Sequence, residues 1–178
     1  MPLSDARREP GDGGLPERPG FYAWWLVPSS LPGVPPQPHP RHDIDLDLLY
    51  VGIAPNSATS RKTLRTRVID DHLKGNTGSS TFRFSLAALL LDTEGFQPTT
   101  TKTKFVLPRE DNRRLSDWQE ANLALTWCEQ GEPWNVEGGV IAAMEPPMNL
   151  AANSNHPFHH TMSTARSRFR EDARARRL

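Results

Sequence analysis

The sequence predicts an α/β domain in which helices flank a small central, mainly antiparallel three-stranded sheet. Three apolar runs of strand length support this fold class, at 21–27, 45–53 and 122–128. The first two are rich in aromatic and β-branched residues, and the third alternates in the manner of a half-buried strand. Segments with helical spacing separate and follow these runs, an order that implies a small sheet flanked by helices.

Length and charge set the first limits on function. The chain has 178 residues, enough for one domain with its own core, and its 21 Lys and Arg residues balance 21 Asp and Glu residues. Basic residues gather at 61–83 and after 165, whereas no Lys or Arg lies between Arg114 and Arg166. A basic helix and a basic tail around an acidic centre suit a phosphate ligand and a metal-holding pocket; simple solvated faces are the alternative.

Cysteine content and the lack of export signals indicate where the protein works. Cys128 is the single cysteine, which excludes an internal disulfide and fits a reducing compartment. No signal peptide and no apolar run of membrane-spanning length occurs. We therefore expect a soluble, cytoplasmic protein that does not associate with a membrane.

The composition divides the chain into three parts. Residues 1–18 are rich in Asp, Arg, Glu, Pro and Gly, which predicts a disordered N-terminal tail. The domain is expected over 19–165, and a basic C-terminal tail over 166–178. A stiff, proline-rich loop at 28–42 joins the first two strands.

Helical spacing and capping patterns place the remaining elements. Helices are expected at 63–74, at 82–91, from about 116, at 136–145 and at about 157–170. The helix near 116 rests on a capping-box pattern that begins at Ser116. A short extended piece is expected near 105–107.

Glu137 is the most informative candidate for chemistry. In a helix it shares a face with the apolar residues three, four and seven positions later: Val140, Ile141 and Met144. A carboxylate on such a face must be paired, hydrogen-bonded or bound to a metal, because burying it bare is costly. The alternative is an acid in the first helical turn that favours the helix dipole and reaches solvent.

Two tripeptides and three downstream residues form an ordered set. Gly-Phe-Tyr at 20–22 and Tyr-Val-Gly at 50–52 lie on the first two predicted strands. A Leu-x-x-Arg pattern ending at Arg67 follows, then Glu137 and, twelve residues later, Asn149. This set resembles the GIY-YIG nuclease superfamily, whose name comes from two such tripeptides on adjacent strands. The stretches at 75–83 and 155–158 resemble a bacterial subgroup, so that the resemblance extends from about Pro19 to Arg166.

The resemblance implies a metal-dependent DNA endonuclease that hydrolyses phosphodiester bonds with Mg²⁺ or Mn²⁺. It implies that Glu137 holds the metal and that Arg67 neutralises charge on the phosphoryl group. Tyr22 or Tyr50 would take a proton from the attacking water while the other tyrosine positions it. His72 is a further candidate proton carrier, although a lone helical histidine is more often structural.

Other residues are expected to support the site or bind the substrate. Gly52 is a support candidate, and Asn149 is expected to fix either Glu137 or the turn below the metal. Arg65 is an alternative to Arg67, the arginine of the Leu-x-x-Arg pattern. The candidates for binding nucleic acid are Arg65, Lys74 and Arg83.

The sequence also departs from the family pattern and leaves other functions open. Ile53 stands where many members have Lys, which removes one phosphate-facing charge. A catalytically silent nucleic-acid-binding module on the same scaffold is the main alternative; a protein-binding domain with two core tyrosines is another. The histidines at 156, 159 and 160 suggest zinc, but the one cysteine lies far away and no fourth ligand has metal spacing.

Overall fold

A three-stranded antiparallel sheet forms the centre of the protein, as seen in a computed structural model that describes residues 1–150 and 153–176. The strands are β1 (Gly20–Leu26), β2 (Asp47–Ala54), β3 (Thr99–Thr100), β4 (Phe105–Val106) and β5 (Leu123–Glu129). β1 lies between β2 and β5 and pairs antiparallel with both, which confirms the predicted fold class. β3 and β4 form a separate two-stranded ribbon where the sequence predicted a single extended piece.

Helices surround this sheet. They are α1 (Leu3–Ala6), a π-helix (Thr66–Leu73), α2 (Thr81–Leu89), α3 (Arg109–Asn122), α4 (Glu137–Met144) and α5 (His159–Ala175), with single 3₁₀ turns at Pro10–Asp12 and Pro133–Asn135. The π-helix occupies the predicted segment 63–74, and its apolar face is buried as predicted. None of the helices in the described ranges is long and apolar enough to cross a membrane.

The two faces of the sheet carry separate cores. One face presents Tyr22 and Trp24 to the larger core, where α5 packs on α2 through an edge-to-face contact between Phe84 and Phe169 at 5.0 Å. The opposite face carries a second apolar cluster, and Val140 and Met144 of α4 pack against it. The buried residues of this cluster are Phe21, Trp25, Leu48, Val51 and Ile53. Alternation along the strands therefore divides one sheet between two layers of helices.

The predicted disorder of residues 1–18 is wrong. Leu3 and Leu15 are buried at 1% and 0% exposure, and the carbonyl oxygen of Met1 accepts a hydrogen bond from the amide of Leu125 at 3.0 Å. The segment thus covers the free edge of β5, whose unpaired backbone groups offer partners that composition does not reveal. A few apolar residues are enough to order a polar segment when such an edge is available.

The predicted start of the third helix and the predicted C-terminal tail are also wrong. α3 begins at Arg109, with Pro108 before it and two acids in its first turn, so the pattern at Ser116 lies inside the helix. Residues 166–175 belong to α5, and two of them, Phe169 and Ala173, are buried against the rest of the protein. Arg177 and Leu178, the end of the predicted tail, lie outside the described residues.

Replacing Leu15 by Ala tests the ordered N-terminal segment. We expect Leu15→Ala to lower the free energy of unfolding by about 2–4 kcal/mol, because a fully buried side chain leaves a cavity. Val27→Ala, at a side chain 42% exposed, should change it by less than about 0.5 kcal/mol. Urea denaturation measures both, and a Leu15→Ala variant as stable as the parent would show that the segment is not packed.

Candidate active site

The two tripeptides meet across β1 and β2. Tyr22 lies directly opposite Gly52 in the sheet. A Cβ atom on Gly52 would stand 2.3 Å from the Tyr22 hydroxyl oxygen, closer than any contact between such atoms allows. The glycine therefore exists at this position because the phenol ring lies over its backbone.

A chain of hydrogen bonds holds the Tyr22 hydroxyl from below. It bonds Nε2 of His72 at 2.7 Å, and Nδ1 of His72 bonds the hydroxyl of Ser80 at 2.7 Å. Ser80 also caps α2 by accepting from the amide of Arg83 at 3.1 Å. Burial, aided by the nearby cations of Arg67 and Arg83, holds the pKa of His72 well below its usual value, so the imidazole is neutral near pH 7.

Tyr50 and Arg67 lie beside Tyr22. The two phenol rings are 6.4 Å apart between centroids. Burial raises the pKa of Tyr50, and the Arg67 cation is the first influence that opposes the rise. Burial raises the pKa of Tyr22 well above its ordinary value, and Arg67 opposes that too. Asp71 fixes this arginine through a 3.0 Å ion pair and holds Lys62 with its other oxygen at 2.9 Å.

Glu137 opens α4 and faces a cleft of about 470 Å³ that it lines together with Tyr50, Asn149 and Arg166. The carboxylate is half-buried, and burial raises its pKa. It forms no ion pair with any residue in the described part of the chain. The structure thus brings Glu137 and Tyr50, 87 positions apart in the printed sequence, to one cleft.

Asn149 supports the cleft by binding β2 rather than Glu137. Its side-chain oxygen accepts from the amide of Val51 at 3.0 Å, and its side-chain nitrogen donates to the carbonyl of Val51 at 2.7 Å. One residue earlier, the amide of Met148 donates to the carbonyl of Leu49, the residue that the pairing of β1 and β2 skips. The turn after α4 is thereby fastened to the outer edge of β2, beside Tyr50.

The structure removes Arg83 from the predicted nucleic-acid-binding set. Its side chain has 0% exposure, and burial lowers its pKa to about 10. The guanidinium donates to atoms of the π-helix and α3, which belong to His72, Leu73, Gln119, Asn112 and Ser116. Arg83 is therefore a structural residue that joins three helices, a role that a basic residue after a polar turn does not suggest.

Arg65 and Lys74 lie away from the cleft. Arg65 donates to the carbonyl of Arg8 at 2.6 Å and lies 3.3 Å from Glu9, so the N-terminal segment holds it. Lys74 is exposed, 4.0 Å from Asp70. Of the two candidate arginines on this helix, Arg67 is the one that lies beside the tyrosines.

Arg166 is a cleft residue that the sequence placed only in the basic tail. It lines the same cleft as Glu137, and its charge acts on Tyr50. Helical spacing could have identified Arg166, because it lies on the same face of α5 as the buried residues. Met162 lies four positions before it, and Phe169 and Ala173 lie three and seven positions after it. A cation on the apolar face of a helix is therefore a candidate site residue, for the same reason as the carboxylate of Glu137 on α4.

A family model described as the GIY-YIG catalytic domain matches residues 20–168. The chain belongs to this family. The predicted superfamily is therefore confirmed, and the GIY-YIG match contains every candidate site residue from Tyr22 to Asn149 as well as Arg166. No curated protein and no solved structure matches the chain significantly.

Replacing the glycine of the second GIY-YIG tripeptide tests the contact with Tyr22. We expect Gly52→Ala to lower the free energy of unfolding by about 1–3 kcal/mol, because the new methyl group overlaps the phenol. In Gly139→Ala, where nothing lies within 4 Å of the new Cβ in α4, stability should rise by up to about 1 kcal/mol. Thermal or urea denaturation compares the two, and equal effects would contradict the packed geometry.

The buried histidine makes stability depend on pH. Its folded pKa lies below the unfolded value of about 6.5, so the unfolded chain binds more protons as pH falls. The contribution is complete above about pH 7 and is lost on acidification, by up to about 1.2 kcal/mol between pH 7.0 and 5.5. Urea titrations at both pH values should show this loss in the parent and in His42→Gln, an exposed site, but not in His72→Gln. The same pH dependence in both variants would contradict the assignment.

Proposed function

We propose that this protein is a divalent-metal-dependent endonuclease that hydrolyses phosphodiester bonds in DNA. The observation that carries the proposal is the cleft lined by both Tyr50 and the carboxylate of Glu137, which has no ion-pair partner among the described residues, in a chain that belongs to the GIY-YIG family. Arg67 adds a fixed cation next to the phenols. A carboxylate can hold a metal ion, a guanidinium can neutralise charge on the phosphoryl group, and a phenol can take a proton from water, so together these groups suit metal-assisted phosphodiester hydrolysis.

The residues of the cleft fit a lightly coordinated cation. The described residues contain no group of three or more His, Cys, Asp or Glu side chains that could hold a metal. A single half-buried carboxylate suits Mg²⁺ or Mn²⁺, because Mg²⁺ keeps several waters and takes phosphate oxygens of the substrate as further ligands. When bound at Glu137, such an ion supplies a Lewis acid for the phosphate and stabilises the leaving oxygen.

Arg67 would neutralise negative charge that develops on the phosphate, since its charge acts on Tyr50. It lines a separate cavity with Ile53 and not the Glu137 cleft itself. Its ion pair with Asp71 fixes the guanidinium in advance, so that little reorganisation accompanies the reaction. The same cation favours the ionised form of Tyr50. Asp71 is thus a positioning residue that acts through Arg67.

Tyr50 is the phenol that faces the cleft and therefore the one that contacts the attacking water. Because burial raises the pKa of Tyr50, the phenolate depends on the opposing charge of Arg67 in order to form. It would then accept a proton from that water while the water oxygen bonds to phosphorus. The leaving oxygen departs with the electron pair of the broken P–O bond and takes a proton from solvent. Tyr22, only 1% exposed, supports this arrangement from below. His72 touches Tyr22 rather than the cleft, which makes it a positioning residue and not the proton carrier near the phosphate.

The setting that we propose for this activity is the cytoplasm. Cys128 is free and exposed, as suits a reducing compartment that also holds DNA.

Neutral substitutions of two glutamates on α4 test the proposal. Glu137→Gln should slow cleavage of plasmid and single-stranded DNA by at least about 100-fold in Mg²⁺ or Mn²⁺, because it removes the charge that holds the ion. Glu145→Gln removes the same charge at the exposed far end of α4 and should cleave like the parent. Arg67→Lys should slow cleavage by about 10²–10³-fold, since a lysine cannot reproduce the forked guanidinium.

Agarose gels with EDTA lanes provide the readout. EDTA-sensitive cleavage that survives in Glu137→Gln would overturn the assignment of Glu137 as the metal ligand, and a parent that cleaves in neither metal would overturn the enzyme proposal. Salt-sensitive DNA binding without any cleavage in either metal would instead support the silent binding module.

A further inference from the structure

A row of arginines follows one face of α5. Arg166, Arg170 and Arg174 are spaced by four residues, so they lie above one another about 6 Å apart along the helix axis. The guanidinium groups of Arg166 and Arg170 lie 5.2 Å and 5.0 Å from the ring centroid of Phe84. Arg174 lies 5.1 Å from the ring centroid of Phe105, on β4. A guanidinium over an aromatic ring is held by a cation–π attraction that uses none of its N–H donors. Nε of Arg166 is buried without a partner, so the terminal nitrogens of its guanidinium are the donors that could reach a ligand.

These three arginines differ from Arg168, which is also on α5, and from Arg176, which caps the end of that helix. Arg168 forms an ion pair with Asp92 at 2.5 Å, and Arg176 lies 3.6 Å from Asp172. None of the three in the row pairs with a carboxylate among residues 1–150 and 153–176. Like charges one turn apart destabilise a helix by a few tenths of a kcal/mol each, and a bound anion would remove that repulsion.

The row lines a groove that is continuous with the cleft at Glu137. Arg166 and Thr81 line both that cleft and a second cavity of about 280 Å³, to which Arg170 and Lys104 also contribute. Lys104 in turn lines a third cavity of about 230 Å³ together with Arg174 and Lys102. The residues that line the second and third cavities include no Asp or Glu.

The loop before α2 forms another wall of this groove. Gly78 lies in that wall, and a Cβ atom there would stand 2.8 Å from a methyl group of Val106 and 3.1 Å from the side chain of Lys104. The loop and the β3–β4 ribbon are therefore in close contact, and Lys104 of the turn between β3 and β4 lines the same cavities as the arginines of α5.

We propose that this basic groove binds successive backbone phosphates of the DNA strand whose scissile phosphate lies at Glu137. The inference rests on the proposed function and adds the path of the substrate. Arginine and lysine contacts to phosphates fix the position of a strand without reading its bases, so the groove would be indifferent to sequence. Arg166 stands where the groove joins the cleft and would contact the phosphate nearest to the reaction.

Paired double variants on α5 test the groove. Affinity for a fluorescently labelled oligonucleotide, single-stranded or duplex, is measured by anisotropy in EDTA over a range of salt concentrations. Arg170→Ala with Arg174→Ala should weaken binding about tenfold or more at low salt. It should also reduce the slope of log K against log salt by about 1.4 for single strands and about 1.8 for duplex, because two phosphate contacts are lost.

Two further double variants are the controls. Arg168→Ala with Arg176→Ala removes the same charge from α5 and its C-cap, at arginines that already pair with carboxylates, and should keep the parent slope. Arg170→Lys with Arg174→Lys keeps the charges and should restore most of the slope, and circular dichroism shows that each variant is folded. Equal losses in both alanine pairs, or an unchanged slope in Arg170→Ala with Arg174→Ala, would overturn the proposal.

Cleavage assays separate this inference from the nuclease assignment. If the parent cleaves DNA and the Arg170→Ala, Arg174→Ala variant binds and cleaves equally well, the groove is wrong and the nuclease stands. If the parent shows the groove-dependent salt slope but never cleaves in Mg²⁺ or Mn²⁺, the groove stands and the nuclease assignment fails.

Discussion

The hydrogen bond between the Tyr22 hydroxyl and His72 is the contact on which the site depends. It joins β1 to the π-helix inside the core, and the second nitrogen of the same imidazole reaches Ser80 at the start of α2. Because the ring is fully buried, each of its nitrogen atoms needs a partner, and these two partners fix its orientation. The tyrosine beneath the cleft is thereby held by three elements at once.

Contacts at the edge of β2 position α4, the helix that carries Glu137. An edge strand has backbone groups without a neighbour, and here the Asn149 side chain satisfies both free groups of Val51 as another strand would. The extra residue at Leu49 turns its carbonyl toward Met148. A bulge and one amide side chain therefore set the distance between β2 and the end of α4, the helix that carries Glu137 at its other end.

The distribution of arginines shows how one residue type serves three purposes in this chain. Arg83 is buried and ties helices together through neutral acceptors, which explains why burial lowers its pKa. Arg67 lies half-buried beside the phenols with a carboxylate to orient it. The α5 arginines that stack on Phe84 and Phe105 keep their N–H edges unpaired among the described residues. The neighbours of each arginine, rather than its residue type, therefore decide whether it is buried as a structural residue or left available for the substrate binding that we propose.

The sequence by itself determined the three strands and the family, because periodicity and ordered motifs can be detected in the chain alone. It also supplied Tyr22, Tyr50, Arg67, Glu137 and Asn149 as candidates for the site. It did not determine the ordered N-terminal segment, the burial of Arg83 or the place of Arg166 in the cleft. Those features depend on a free sheet edge, on acceptors from α3 and on the packing of α5 against α2. Such partners lie tens of residues away, and only the folded chain decides which of them meet.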